Sequence, residues 1–196
     1  LDIDFGTYPY VTSSNPIAGG ALIGIGVSPL KVGKIYAIMK AYLTRVGEGP
    51  FPTELTGEMG EYLREKGGEY GATTGRPRRC GWFDLVFAKY SQMLNGFTDI
   101  VFTKLDVLDG LDQIKVCVGY EVNGKKIDRF PFSNDTLYNV TPIYRDFPGW
   151  KSTGNVRRFE DLPQEAKNYI LFIEDELKAP ITIVSVGPDR DETIVR

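Results

Sequence analysis

The clearest periodicity lies near the end of the chain. Between Asp161 and Lys178, the apolar residues Ala166, Tyr169, Ile170, Ile173 and Leu177 recur on one helical face with charged residues between them, which predicts an amphipathic helix. Asp161 and Pro163 mark its start and Pro180 its end. A second helix is predicted from Phe83 to Asn95, with Leu85, Val86, Lys89, Tyr90 and Met93 on one side and Asn95-Gly96 as the stop. A third should begin at Ser28-Pro29, with serine as N-cap and proline as the first helical residue. Val32, Ile35, Met39 and Tyr42 then fall at helical spacing. Thr56 to Lys66 reads as a short charged helix with a solvated face.

Strand signals alternate with these. Asp99 to Lys104 and Ile181 to Val186 are short apolar runs bounded by turn residues, the pattern of buried strands. From Lys115 to Val122, the residues Val116, Val118, Tyr120 and Val122 alternate with Lys115, Cys117, Gly119 and Glu121. Asn123-Gly124 then predicts a type I′ hairpin turn, with Lys125 to Phe130 returning. Ala41 to Val46 is β-like and breaks at Gly47-Glu48-Gly49-Pro50. Leu1 to Asn15 reads as extended chain entering a polar loop, Ala18 to Gly26 as a flexible loop or closely packed backbone, and Pro131 to Trp150 as irregular. The order predicts an α/β fold: a mainly parallel sheet flanked by helices, with an antiparallel hairpin embellishment, in one domain over residues 1–196.

Composition narrows the function classes. The 196 residues are 42% hydrophobic, enough for a sizeable core. A net charge of −3 argues against a nucleic-acid or membrane-surface protein. Cys80 and Cys117 stand in unrelated contexts with no metal spacing, which fits a reducing compartment. No apolar run is long enough to span a bilayer.

Against that acidic background one stretch stands out: Gly71 to Asp84, G-A-T-T-G-R-P-R-R-C-G-W-F-D. Gly71, Gly75 and Gly81 permit positive φ or close backbone approach. Thr73 and Thr74 offer hydroxyls, and Arg76, Arg78 and Arg79 supply three fixed positive charges. Arginine pairs bidentately with carboxylate and phosphate, so the loop suits a small ligand with several anionic groups. The predicted helix that follows would add its N-terminal N–H groups. A solvated basic turn is the plain alternative. Two further stretches, Lys104-Leu105-Asp106 and Ser185-Val186-Gly187, stand at the carboxyl ends of the two buried strands, where open α/β sheets bind ligands. An aspartate there can accept two hydrogen bonds from the N–H edge of guanine, and a lysine stem can lie over a base; a purely structural strand end is the plain alternative. No Gly-x-x-x-x-Gly-Lys-Ser/Thr phosphate loop occurs.

The arginine loop resembles the substrate loop of the adenylosuccinate synthetase family. Six other stretches resemble that family in the same order: D-I-D-F-G-T-Y-P-Y-V-T-S-S-N at Asp2, T-R-V-G-E-G-P-F-P-T-E-L at Thr44, T-K-L-D-V-L-D-G-L at Thr103, Y-N-V-T-P-I-Y-R-D-F-P-G-W at Tyr138, L-P-Q-E-A-K-N-Y-I at Leu162 and S-V-G-P-D-R at Ser185. The resemblance implies a P-loop-NTPase-like family fold, of which this chain would be the C-terminal half or so. The catalytic aspartate and histidine, the phosphate loop and the Mg²⁺ ligands would then lie in an N-terminal half, leaving no catalytic or metal residue here. The implied activity is GTP-driven joining of L-aspartate to inosine monophosphate in purine biosynthesis, by a cytoplasmic homodimer, with this chain inactive by itself. Thr12 and Arg76 would contact inosine monophosphate. Val46 through its backbone, Thr73, Thr74, Arg76 and Arg78 would hold aspartate. Arg78, Lys104, Leu105, Asp106, Ser185, Val186 and Gly187 would hold GTP. Where the family usually has a hydroxyl residue, this chain has Val186. The rival reading is a GTP-binding or regulatory module without catalysis.

Overall fold

A computed structural model describes residues 1–196. Its strands and helices are α1 (Ala18–Ile25), β1 (Tyr36–Lys40), β2 (Leu43–Arg45), α2 (Glu58–Lys66), β3 (Arg79–Gly81), β4 (Phe83–Asp84), α3 (Leu85–Asn95), β5 (Asp99–Thr103), β6 (Gln113–Val122), β7 (Lys125–Ile127), α4 (Asn134–Tyr138), β8 (Thr141–Pro148), α5 (Gln164–Leu177), β9 (Ile181–Ser185) and β10 (Thr193–Val195). The sheet that positions the site has the order β1-β5-β9-β10. β1, β5 and β9 run parallel and β10 is antiparallel to β9. Parallel neighbours need long crossovers, and α2, α3 and α5 lie within them. The expected mainly parallel α/β architecture is therefore present.

α5 buries Ala166, Tyr169, Ile170, Ile173 and Leu177, the face its periodicity predicted. α3 ends at Gly96 in the left-handed region (φ 57), as the Asn95-Gly96 stop implied. Asn123 (φ 50) and Gly124 (φ 74) both take the positive φ that a type I′ turn requires.

Four expectations need correction. Ser28 does cap, accepting from the Leu30 N–H at 3.3 Å, but the turn it starts is one 3₁₀ turn, Pro29–Lys31. The chain then becomes β1, paired with β5 from Tyr36↔Asp99 to Lys40↔Thr103. Ile35, Ala37 and Met39 pack on the core while Tyr36 and Ile38 are exposed. That is a two-residue period, masked in the sequence because alanine is a weak apolar marker. Ala18 to Ile25, read as a loop, is helix α1. Pro131 to Trp150, read as irregular, contains α4 and the eight-residue β8. β8 contains Pro142 and Pro148, but it pairs only with β6 and so lies at an edge, where proline is tolerated. The hairpin is correspondingly more than an embellishment: it belongs to a second sheet in which β6 pairs with β4, β7 and β8. A register shift between Cys117 and Gly119 breaks the alternation of β6. Ile114 and Val116 join the main core, whereas Cys117 and Tyr120 join a smaller cluster with Val86 and Leu137.

Candidate functional site

Pairing of Phe102 with Val184 sets the carboxyl ends of β5 and β9 side by side, so the two predicted strand-end segments are neighbours. Lys104 leaves β5 in the left-handed region (φ 60) and caps the 3₁₀ turn Leu105–Leu108. Leu105 is fully buried, and Asp106 is half-buried. Burial pushes the Asp106 carboxyl above its ordinary value, and Asp109 pushes the same way. Asp109 itself is structural. It accepts from Trp150 Nε1 at 2.7 Å and from the Thr153 N–H at 2.8 Å.

At the end of β9, Ser185 Oγ donates to the Gly187 carbonyl at 2.8 Å. Val186 is buried, and its N–H donates to the Glu192 carbonyl at 2.9 Å. The missing hydroxyl at Val186 thus costs this fold nothing, because the side chain faces the core. A Cβ on Gly187 would lie 2.0 Å from Glu192 Oε2, so the glycine leaves room for a carboxylate that accepts from the Asp189 N–H at 3.0 Å.

The arginine loop is a tight exposed turn. The Gly71 N–H donates to the Arg76 carbonyl at 2.9 Å and the Gly75 N–H to the Gly71 carbonyl at 2.8 Å. Gly75 alone of the three glycines has positive φ (64). Gly81 serves close approach instead, since a Cβ there would lie 2.5 Å from the Thr53 carbonyl oxygen. Thr73, Thr74 and Arg76 are exposed. Arg79 turns inward, pairing with Glu54 through Nε and Nη2 and donating to the Gly47 and Gly49 carbonyls, which makes it structural. The expectation that the loop uses the following helix N-terminus is overturned. Asp84 Oδ1 accepts from the Val86 and Phe87 N–H groups at 3.0 and 3.2 Å, and β3 and β4 intervene. Burial raises the Asp84 carboxyl to about 6.

The residue that joins these parts is Glu69, which sequence reasoning missed. Its side chain is fully buried. It accepts from Lys40 Nζ at 2.8 and 2.9 Å, from the Tyr42 hydroxyl at 2.6 Å and from Arg78 Nη1 at 2.7 Å, and it pairs with Lys104 Nζ at 3.2 Å. Arg78 of the loop and Lys104 of the strand-end segment therefore meet on one carboxylate. Burial alone would raise the Glu69 carboxyl, but the bonds from Lys40, Tyr42 and Arg78 outweigh it and hold it down to about 2. For Lys40 burial wins and the ammonium is pushed down, because it shares its one carboxylate while that carboxylate has several donors. A lone glutamate after Gly67-Gly68 carries no pattern that would have revealed this, and Lys40 lay inside a mispredicted helix.

Register Arg45↔Arg79 between β2 and β3 brings Val46, the next residue, to the end of the arginine loop. Val46 and Thr12 line a cavity of about 530 Å³ with Thr7, Tyr10, Thr44 and Arg45. Thr12 Oγ1 lies 2.8 Å from Ser14 Oγ. The structure thus groups Val46 with Thr12, Arg78 with Lys104, and Asp106 with Ser185 to Gly187, while Thr73, Thr74 and Arg76 stand at the exposed tip of the loop. No group of three or more His, Cys, Asp or Glu side chains is placed to hold a metal ion. No helix is long and apolar enough to cross a membrane.

The family model described as adenylosuccinate synthetase matches residues 1–194. The chain is 56% identical to adenylosuccinate synthetase of Thermodesulfovibrio yellowstonii and 55% identical to that of Synechococcus elongatus. Both matches cover all of this chain, but only 46% and 44% of the respective relative. A solved structure of fully ligated adenylosuccinate synthetase from Plasmodium falciparum superposes with TM-score 0.96 at 47% identity, over 100% of this chain and 47% of that one. Succinoaminodeoxyadenylate synthetase of cyanophage S-2L is similar in fold alone, with TM-score 0.56 at 16% identity over 99% of this chain and 43% of that one.

Proposed function

The chain belongs to the adenylosuccinate synthetase family, and from that premise we propose that it supplies the aspartate-binding and guanine-binding parts of a ligase that joins L-aspartate to inosine monophosphate at the expense of GTP. The observation that carries the reading is the meeting of Arg78 and Lys104 on Glu69, which ties the arginine loop to the strand-end segment Lys104-Leu105-Asp106. Each substrate of such a ligase is anionic, so the protein's first task is to gather negative charges at fixed distances.

In this reading Asp106 accepts from the two N–H donors of guanine, the Lys104 stem lies along the base, and Ser185 to Gly187 close its other side. Arg78 reaches both GTP and aspartate. Thr73, Thr74 and the backbone of Val46 hold the aspartate carboxylates. Arg76 bridges aspartate and inosine monophosphate, which Thr12 contacts from the adjoining cavity. The 6-oxygen of the nucleotide is phosphorylated by GTP, and the aspartate amine then displaces phosphate. Arg76 and Arg78 stabilise charge that develops during both steps. Mg²⁺ would accompany the GTP phosphates. These residues do not form a site for it. The same reading gives a cytoplasmic homodimer.

The test is the complete protein with GTP, Mg²⁺, aspartate and inosine monophosphate, followed by the absorbance of adenylosuccinate. Product formation that requires all three substrates supports the proposal. GTP binding without turnover would favour a non-catalytic guanine-binding module instead.

A further inference from the structure

We propose that Glu69 is a positioning residue that sets the aspartate and GTP subsites together, by fixing Arg78 and Lys104 on one buried carboxylate; this rests on the function proposed above. The carboxylate is fully buried, whereas the Lys40, Arg78 and Lys104 side chains keep 25%, 30% and 35% of their surface exposed. The group is therefore a buried negative centre wearing three partly exposed cations. It carries an excess of positive charge that faces outward, which is where an anionic ligand can be met.

Arg78 commits only Nη1 to Glu69, leaving its other N–H donors for a ligand. Lys104 is held twice, by Glu69 and by the Gly67 carbonyl. Glu69 is fixed at its backbone as well. Its N–H donates to the Arg64 carbonyl at 2.8 Å and its carbonyl accepts from the Arg78 N–H at 2.9 Å. α2 thus anchors the carboxylate, and the carboxylate aims one side chain from each of two subsites. Thr12 and Arg76, the residues proposed for inosine monophosphate, make no bond to it. Removing the charge frees Arg78 and Lys104 and leaves three cations repelling one another.

The experiment compares complete wild-type protein with Glu69→Gln, which keeps the shape and loses the charge. Steady-state constants for all three substrates are measured, with calorimetric affinities for GTP and aspartate. The expected result is a rise of about tenfold in KM for aspartate and for GTP, matched in the two affinities, with KM for inosine monophosphate within about twofold. If Glu69→Gln does not fold, Tyr42→Phe removes one donor to the same carboxylate, and a rise of about threefold in the same two constants is expected. A lower melting temperature with all constants unchanged, or an equal rise in all three, overturns the positioning role. If wild type binds GTP and aspartate without ligating them, the proposed function fails, while the affinities still decide the role of Glu69. If wild type binds neither ligand, both fall.

Discussion

Replacing Asp106 by asparagine changes one atom and, in this account, the nucleotide the protein prefers. A carboxylate facing guanine accepts from the ring N–H and from the exocyclic amino group. Xanthine keeps the first donor and presents a carbonyl in place of the second, so it meets the carboxylate with repulsion. The amide of Asp106→Asn can donate to that carbonyl, but it turns one hydrogen bond to guanine into a clash of donors. A buried charge-assisted hydrogen bond is worth about 1.5–3 kcal/mol, so reversing one should cost GTP about two orders of magnitude in kcat/KM. The surroundings of Asp106 show that the change leaves the fold intact. Burial already holds its carboxyl above the usual 3.8. A carboxyl raised in the folded state favours folding below pH 3.8 and loses that contribution as pH rises through the raised value. At neutral pH the charged form is therefore a cost, and Asp106→Asn should melt no lower than wild type. The assay is kcat/KM for GTP and XTP with both proteins, beside their melting temperatures. GTP should lose about a hundredfold while XTP loses much less or gains. Equal factors for the two nucleotides would show that Asp106 does not read the base.

Three further outcomes test other parts of the site. Arg76→Leu should leave the melting temperature unchanged, because the side chain is exposed, while kcat/KM for aspartate and inosine monophosphate falls by the equivalent of about 1.5–3 kcal/mol; unchanged kinetics remove Arg76 from the site. Glu69, held at about 2 against an ordinary 4.5, contributes stability that is present above pH 4.5 and lost as pH falls towards 2. Urea unfolding of wild type and Glu69→Gln should differ by about 3 kcal/mol above that window and converge within it, and a gap independent of pH would contradict the assignment. Gly81→Ala should destabilise the protein by about 1–3 kcal/mol, because the new methyl meets the Thr53 carbonyl rather than a movable side chain; an unchanged midpoint in urea would refute this.

What the sequence revealed follows from where its signals are local. The helix at Gln164–Leu177, the Asn123-Gly124 turn and the buried strands Asp99–Thr103 and Ile181–Ser185 each carry their own periodicity or turn chemistry, and each was predicted in place. Tyr36–Lys40 was misread because its partner Asp99–Thr103 is distant in sequence, while Ile35, Met39 and Tyr42 mimic a helical face. Thr141–Pro148 was lost because proline is a local argument against a strand and edge position is a non-local one. The candidate site divides the same way. Three arginines in one turn are visible as a motif, but their different fates are not. Arg79 finds Glu54 from 25 residues away, and Arg78 finds Glu69, which also holds a lysine 35 residues further on. A carboxylate whose partners come from three separate segments leaves no spacing to recognise.

In the proposed reaction GTP phosphorylates the 6-oxygen of inosine monophosphate. The measurement that tests it most directly uses the complete protein and inosine monophosphate labelled with ¹⁸O at that oxygen. Labelled phosphate should form in step with adenylosuccinate, one for one, and only when GTP and aspartate are both present. Phosphate released without the label, or adenylosuccinate formed without GTP, would contradict it.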